Sequence, residues 1–213
     1  MRSGVILISG RGSNMRSIVE ARTGLDVKAV ISNRPDAGGL DWARAQGIPA
    51  IALDHKAHGS REAFDERLAA EIDRLQPDMV LLAGFMRILT PGFIARFPRR
   101  MLNIHPSLLP AFPGLHTHRR ALEAGVKLHG CTVHVVTAEL DNGPIVVQAA
   151  VPVMADDTEG SLAERVLAAE HRIYPQAVRW FLEDRVDFLP GDVVRVRGSG
   201  VSMDCITAPR DPR

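Results

Sequence analysis

The sequence has 213 residues, of which 46% are hydrophobic and 24% are charged, and its formal net charge is +1. This length suits a single domain, and the near-neutral charge excludes the basic surface that non-specific nucleic-acid binding requires. The two cysteines, Cys131 and Cys205, exclude a disulfide framework and lack the spacing of a metal site. No apolar run reaches the roughly 18 residues of a membrane span, and residues 5–8 form too short a run for a signal peptide. We therefore expect a cytoplasmic protein with neither nucleic-acid nor membrane partners.

Short apolar runs alternate with amphipathic stretches through the first half of the chain. Strands are predicted where apolar residues are continuous, at 5–9, 27–32, 50–53 and 79–83. Helices are predicted where apolar residues recur at intervals of three or four, at 15–22, 40–46 and 61–75. This alternation is typical of a mostly parallel twisted sheet with helices on both faces. The pattern predicts an α/β, Rossmann-like fold.

The second half departs from this alternation. A short strand is predicted at 101–104, and the proline-rich residues 105–117 that follow it exclude a helix or a central strand there. Two β-rich segments, 130–136 and 145–153, flank a turn signal at 141–144. A long helix is predicted at 162–182.

The segment Gly10-Arg11-Gly12-Ser13-Asn14 joins the first predicted strand to the first predicted helix. Unpaired backbone N–H groups and the helix dipole favour an anion at such a position. Ser13 and Asn14 can cap the helix or donate to a phosphate. A dinucleotide-binding fingerprint would need a glycine where this chain has Met15. The segment indicates a phosphate seat, with a tight turn and helix cap as the structural alternative.

A second candidate is Asn103-Ile104-His105-Pro106-Ser107, at the end of the predicted strand 101–104. Sites in open α/β sheets gather at the carboxyl ends of strands. Strand alternation places Asn103 and His105 on one side, with Ile104 facing the core. The amide and the imidazole could both donate to one developing oxyanion. Spacing alone equally allows a structural pair that closes the strand end.

Asp141 belongs to the predicted turn at 141–144, where aspartate is common for structural reasons. Beside His105, its carboxylate would hold the imidazole and favour the protonated ring. Its role therefore depends on whether the fold brings the two side chains together.

The remaining histidines allow simpler readings. His116 and His118 lie in a loop without a third ligand at metal-site spacing, so we predict no metal. His129 and His134 lie on a predicted strand, where we expect structural roles. Residues 84–89 indicate core or loop, with an apolar ligand wall as the alternative.

Taken together, these segments resemble the folate-dependent formyltransferase family. The resemblance is carried by three runs: Asn103-Ile104-His105-Pro106-Ser107-Leu108-Leu109-Pro110, Phe112-Pro113-Gly114 and Gly130-Cys131-Thr132-Val133-His134. Leu115-His116-Thr117-His118, together with Glu170-His171 ahead of Tyr174-Pro175, favours the members that formylate a ribonucleotide. The likeness covers about residues 3–184. It implies a formyltransferase catalytic domain over 1–190, followed by a partly ordered C-terminal extension over 191–213.

The resemblance also implies a reaction. The formyl group of the cosubstrate 10-formyltetrahydrofolate would pass to the amino group of glycinamide ribonucleotide in de novo purine biosynthesis, without a metal, on a monomer or homodimer. His105 would be the general acid for the oxyanion and Asn103 the second donor. Asp141 would orient His105 and relay protons through an ordered water.

Binding residues follow from the same resemblance. The ribonucleotide would be held by the backbone of the phosphate loop and by one carboxylate on its ribose hydroxyls: Gly12, Ser13, Asn14 and Glu170. The folate would contact two loops and one arginine near its acidic tail: Arg61, Met86, Arg87, Ile88, Leu89, Asn103, Thr137, Ala138, Glu139, Leu140 and Asp141. Two positions depart from relatives, since Ala138 replaces an acidic residue and Leu167 a polar one.

Three alternatives are open at this stage. A formyltransferase acting on methionyl-tRNA would need a large additional RNA-binding domain and a basic surface. A 10-formyltetrahydrofolate hydrolase would use water as acceptor and would not need the phosphate loop. A binding module without catalysis would not need Asn103, His105 and Asp141.

Overall fold

A computed structural model of the chain describes residues 1–200 and 208. Its main feature is a seven-stranded sheet in the order β3-β2-β1-β4-β5-β6-β7. The strands are β1 (Ser3–Ile8), β2 (Asp26–Ser32), β3 (Ala50–Ala52), β4 (Met79–Leu82), β5 (Met101–His105), β6 (Leu128–Val135) and β7 (Ile145–Pro152). The pairs among β1 to β5 are parallel, and β6 is antiparallel to both of its neighbours. The predicted α/β class with a mostly parallel sheet is confirmed.

Five α-helices and a short 3₁₀ turn (His55–Ala57) connect these strands within the described residues, and a sixth helix follows β7. They are α1 (Ser13–Glu20), α2 (Gly38–Ala45), α3 (Arg61–Leu75), α4 (Pro91–Arg96), α5 (Thr117–Glu123) and α6 (Glu159–Leu182). The sequence pattern did not indicate α4 and α5. Both span no more than two turns, which is too short for a periodic apolar face to be visible.

The sheet is buried on both faces because neighbouring residues of its central strands point into different cores. Ile6 and Ile8 of β1 pack with α1, α2 and α6, whereas Val5 and Leu7 pack with α3 and α4. All four of these side chains are fully buried. This explains why β1 is apolar at consecutive positions. The helices after β1 and β4 lie on opposite faces, so a crevice opens between the carboxyl ends of these two strands.

Helix α6 is capped at its start and is attached to the sheet through Tyr174. Thr158 and Ser161 form a reciprocal capping box at its start. Further along, the fully buried Tyr174 hydroxyl lies 3.1 Å from the Leu82 carbonyl of β4 and 3.0 Å from the Leu102 carbonyl of β5. Tyr174 therefore fixes the position of the helix turn that carries Glu170.

A two-stranded antiparallel ribbon, β8 (Val186–Leu189) and β9 (Val193–Val196), follows α6. Ahead of this ribbon, Arg2 at the start of β1 pairs with Asp184 and donates to the Phe181 carbonyl at 2.8 Å. Much of the partly ordered extension expected over 191–213 falls on residues 201–207 and 209–213, which lie outside the described residues. Across the described part of the chain, no helix is both long and apolar enough to cross a membrane.

Candidate active site

Asn103 and His105 lie at the C-terminal end of β5, and residues of the antiparallel strand β6 lie opposite them. Asn103 is paired in register with His134, and His105 with Thr132. Directly opposed side chains of an antiparallel pair are close enough to interact. Accordingly, Asn103 Nδ2 lies 3.1 Å from His134 Nε2. The two polar side chains of the predicted oxyanion site are thus on one face of the strand, as the alternation predicted.

The turn after β6 brings Asp141 to this pair. Asp141 Oδ2 lies 3.4 Å from His105 Nδ1 and accepts a 2.8 Å hydrogen bond from the Gly114 backbone N–H. Asp141 itself has a left-handed φ of 52°, and the turn depends on Gly143. A Cβ on Gly143 would lie 1.7 Å from the Val135 carbonyl oxygen, so a larger residue cannot be accommodated there.

Both ring nitrogens of His105 face acceptors. Nδ1 faces the Asp141 carboxylate, and Nε2 lies 3.0 Å from the Phe112 carbonyl oxygen. The ring is 5% exposed. A doubly protonated imidazolium is satisfied at both nitrogens in this arrangement, because it carries two N–H donors. The geometry suits a residue that must release a proton to a substrate and recover it.

His134 is a member of this group that the sequence reasoning assigned to structure. Burial lowers the pKa of its imidazole, although a hydrogen bond to the Val135 carbonyl and the charge of Asp141 oppose the shift. The neutral ring donates from Nδ1 to that carbonyl at 3.0 Å, so Nε2 accepts from Asn103. His134 therefore fixes the amide of Asn103, whose second N–H has no partner within residues 1–200 and 208. Only the pairing register between β5 and β6 could have indicated this role.

A cleft opens beside these residues. Most of the predicted folate contacts line it: Arg87, Ile88, Leu89, Asn103, Thr137, Ala138, Glu139, Leu140 and Asp141. Leu82, Phe85, Ile94, His134 and Val136 complete the lining. Met86 and Arg61 do not line it. Met86 is 66% exposed, and Arg61 at the start of α3 faces Glu62 at 3.7 Å.

The predicted phosphate loop leads into α1 through Gly12, which adopts a left-handed φ of 71°. Among the residues that the structure describes, no side chain caps this helix, and its first turn contains no acidic residue. Of the two roles that the sequence allowed for Ser13 and Asn14, capping by a side chain is excluded, because Gly12 occupies the cap position. The first N–H groups of α1 remain free to bind an anion.

The predicted ribose residue, Glu170, lies beside this loop. Asn14 Nδ2 donates a 2.7 Å hydrogen bond to Glu170 Oε2, and both residues are buried. Burial raises the pKa of Glu170 to about 6, even though the hydrogen bond from Asn14 lowers it. The side chain of Asn14 thus binds the carboxylate, while its backbone N–H stays at the helix start.

Two of the other histidines, His118 and His129, form a pair. His118 Nδ1 lies 3.2 Å from His129 Nε2, and burial lowers the pKa of His129 to about 4. His116 has a left-handed backbone conformation and is the N-cap residue that precedes α5. Over residues 1–200 and 208, no group of three His, Cys, Asp or Glu side chains has the geometry of a metal site.

Comparison with known proteins identifies the family. A phosphoribosylglycinamide formyltransferase from Escherichia coli strain K12 is 52% identical over 186 residues, which are 85% of this chain and 88% of that protein. The human trifunctional purine biosynthetic protein adenosine-3 is 44% identical over 82% of this chain, which corresponds to 18% of its own length. The crystal structure of glycinamide ribonucleotide transformylase 1 from Symbiobacterium toebii superposes with a TM-score of 0.89 at 50% identity, over 92% of this chain and 94% of that one. The formyl transferase family model matches residues 2–178. This chain belongs to the formyl transferase family.

Proposed function

We propose that this chain transfers the formyl group of 10-formyltetrahydrofolate to the amino group of glycinamide ribonucleotide. The observation that carries the proposal is the convergence of Asn103, His105 and Asp141, of which Asn103 and Asp141 line the cleft. The phosphate loop follows β1, and β1, β4 and β5 are adjacent and parallel. Their carboxyl ends therefore meet at one edge of the sheet, where two substrates can bind side by side.

The reaction begins when the neutral amine of the ribonucleotide attacks the formyl carbon. The new C–N bond forms as the carbonyl π electrons move to oxygen, giving a tetrahedral intermediate with O⁻ and a cationic nitrogen. Asn103 donates to this oxygen, and so does the protonated His105 when its Nε2–H exchanges the Phe112 carbonyl for the substrate oxygen. Preorganised donors of this kind contribute roughly 2.7–4 kcal/mol each.

Collapse of the intermediate requires two proton movements. The new ammonium loses one proton, N10 of the folate gains one, and the bond from the formyl carbon to N10 then breaks. Asp141 and His105, through a water between them and the substrates, relay these protons. Their 3.4 Å separation supports this relay, because an acid and a base must lie close together to serve one intermediate. Holding both substrates in the crevice supplies the remaining acceleration through proximity.

Two substrate-binding roles complete the proposal. The backbone N–H groups of Ser13 and Asn14 at the start of α1 bind the phosphate, and Glu170 accepts from the ribose hydroxyls. The pterin ring of the folate lies along residues 86–89 and the loop 137–141. Arg61 serves the acidic tail from outside the cleft, consistent with its exposed position at the start of α3.

The deciding experiment is the release of deformylated folate, followed by absorbance, with and without glycinamide ribonucleotide. Release that depends on the ribonucleotide is the expected result. Equal release in both reactions would make water the acceptor and the protein a hydrolase. Absence of release in both, with the folded protein confirmed by circular dichroism, would contradict the assigned substrates.

A further inference from the structure

The contact between Asn14 and Glu170 joins parts of the chain that are 156 residues apart. Asn14 is 8% exposed and Glu170 7%, so their 2.7 Å hydrogen bond is shielded from solvent. A hydrogen bond to a desolvated carboxylate is among the stronger ones in proteins. The contact is also the direct link between the predicted phosphate loop and the predicted ribose residue.

Few other groups act on this carboxylate. From β6, the buried Cys131 thiol has its pKa raised to about 12, first by burial and then by the charge of Glu170. From α6 itself, Arg172 opposes that shift of Cys131. Strand β7, which also packs on α6, has no ionisable side chain.

The remaining charged groups of the neighbouring helices are directed elsewhere. On α1, Arg16 stacks over Trp42, and the charge of Glu20 acts on His171.

On α5, Arg119 pairs with Glu159, while His118 contacts His129. Arg120 donates to backbone carbonyls at 113 and 115, and Glu123 ends the helix. Asn14 is therefore the one hydrogen-bond donor among the described residues that stabilises the charge of Glu170.

We propose that Asn14 is a positioning residue for Glu170, whose amide keeps the carboxylate ionised and oriented to accept the ribose hydroxyls of the ribonucleotide. This inference rests on the proposed function. An ionised carboxylate only accepts hydrogen bonds, and both of its oxygens can do so. Asn14 occupies one position on Oε2 and leaves the other lone pairs for two hydroxyl donors. A protonated Glu170 would present an O–H in place of one acceptor.

The sign of the pH dependence follows from the same geometry. Because the pKa of Glu170 is about 6, the carboxylate is ionised at pH 7 and becomes protonated as the pH falls through 6. Ribonucleotide binding is therefore full above this range and weakens below it. Removing the Asn14 donor takes away the interaction that favours the charged form, so the pKa rises further and the acid limb moves to higher pH.

The test compares the wild-type protein with Asn14→Ala over pH 5–8, measuring kcat/KM for glycinamide ribonucleotide. We expect the acid limb to move up by roughly one pH unit, so that the KM at pH 7 rises about twofold because about half of Glu170 is then protonated. The KM for the folate should not change. Asn14→Asp, which is isosteric but lacks the donor, should shift the limb further because two buried carboxylates then share a proton. Asn14→Gln, which keeps the amide, should restore part of the wild-type profile.

A second background separates positioning from general stability. In Glu170→Gln, the side chain does not titrate, so adding Asn14→Ala should produce no further change in the pH profile. A change of the same size in both backgrounds would overturn the proposal. So would an Asn14→Ala protein whose melting temperature falls while its acid limb stays at the wild-type pH.

The failure of the proposed function has its own signature. If the wild-type protein shows no ribonucleotide-dependent release, the substrate assignment fails. The ¹³C carboxyl titration of Glu170 in the ligand-free protein still tests the inference in that case. A titration midpoint that is the same in wild type and Asn14→Ala would overturn it, and an upward shift supports it. Asn14→Ser provides the same comparison if the alanine variant does not fold.

Discussion

The parallel half of the sheet presents backbone groups to the site, whereas the antiparallel pair β5 and β6 presents side chains. After β1, the phosphate loop contributes the N–H groups at the start of α1, with Gly12 at the cap and no capping side chain. Between β5 and β6, Asn103 and His134 face each other directly in register.

This difference follows from strand direction. Parallel neighbours all end at one edge, and the helix that starts after a strand offers its first N–H groups there. An antiparallel neighbour instead runs back past the strand end and places its own side chains against it. The parallel half is thus suited to binding anions, and the antiparallel pair to holding an acid, a base and a donor in fixed geometry. Substitutions in the two halves should therefore have different kinetic signatures.

The largest effect is expected from Asp141→Asn. The amide cannot accept a proton or stabilise a protonated His105, so kcat should fall about 10³-fold, within the usual range for an acid–base group. Folate binding, measured as a dissociation constant by fluorescence, should stay within about threefold of wild type. Asp192→Asn is the matched control, since Asp192 also has a left-handed φ, of 57°, but lies exposed in the ribbon turn. Unchanged turnover in Asp141→Asn would refute its catalytic role.

Asn103→Ala should lower kcat roughly 10²-fold, because one donor to the oxyanion is lost. The KM for both substrates should change much less, which steady-state kinetics can resolve. A rise in KM with kcat preserved would show that Asn103 contributes to ground-state binding instead.

His134→Ala should lower kcat about tenfold, because the Asn103 amide loses the acceptor that orients it. His134→Gln should recover part of this loss, since its side-chain oxygen can accept from the same amide. The combination of His134→Ala with Asn103→Ala should cost little more than Asn103→Ala alone. Additive losses in this double-mutant cycle would mean that His134 acts independently of Asn103.

The smallest effect is expected in the parallel half, from Gly12→Ala. A Cβ there would lie 2.9 Å from the Met15 methyl carbon and would strain a φ of 71°, so the KM for the ribonucleotide should rise several-fold, within roughly tenfold. Turnover at saturation should not change. Gly47→Ala is the matched control, because its φ is 73° with no atom within 4 Å of the added carbon. A loss of kcat in Gly12→Ala would break the distinction between the two halves.

The sequence was most informative where one local rule sufficed. Consecutive apolar residues in β1 indicated a strand buried on both faces, and the 61–75 periodicity gave the bounds of α3 as observed. Alternation also placed Asn103 and His105 on one face of β5. These inferences depend on neighbouring residues alone, which a single sequence contains.

Contacts between residues far apart in the sequence could not be predicted from neighbouring residues alone. The role of His134 depends on the register between β5 and β6, which are joined by a long loop containing α5. The contact of Asn14 with Glu170 requires α1 to pack on α6, and no periodicity specifies that packing. The resemblance to a known family suggested Glu170 and the loop 137–141 as substrate contacts, and the structure added how these residues are held.

The pairing of Arg2 with Asp184 has a consequence for how the domain can be tethered. It brings the start of β1 next to the end of α6, at the N-terminal ends of the parallel strands and away from the site at their C-terminal ends. Strand β1 has six residues, so these two ends of the sheet are about 20 Å apart. A partner domain or a surface linker attached near residue 2 or the β8–β9 ribbon would therefore leave the substrate crevice open. One such attachment could carry a neighbouring enzyme close to this one without blocking the entry of either substrate.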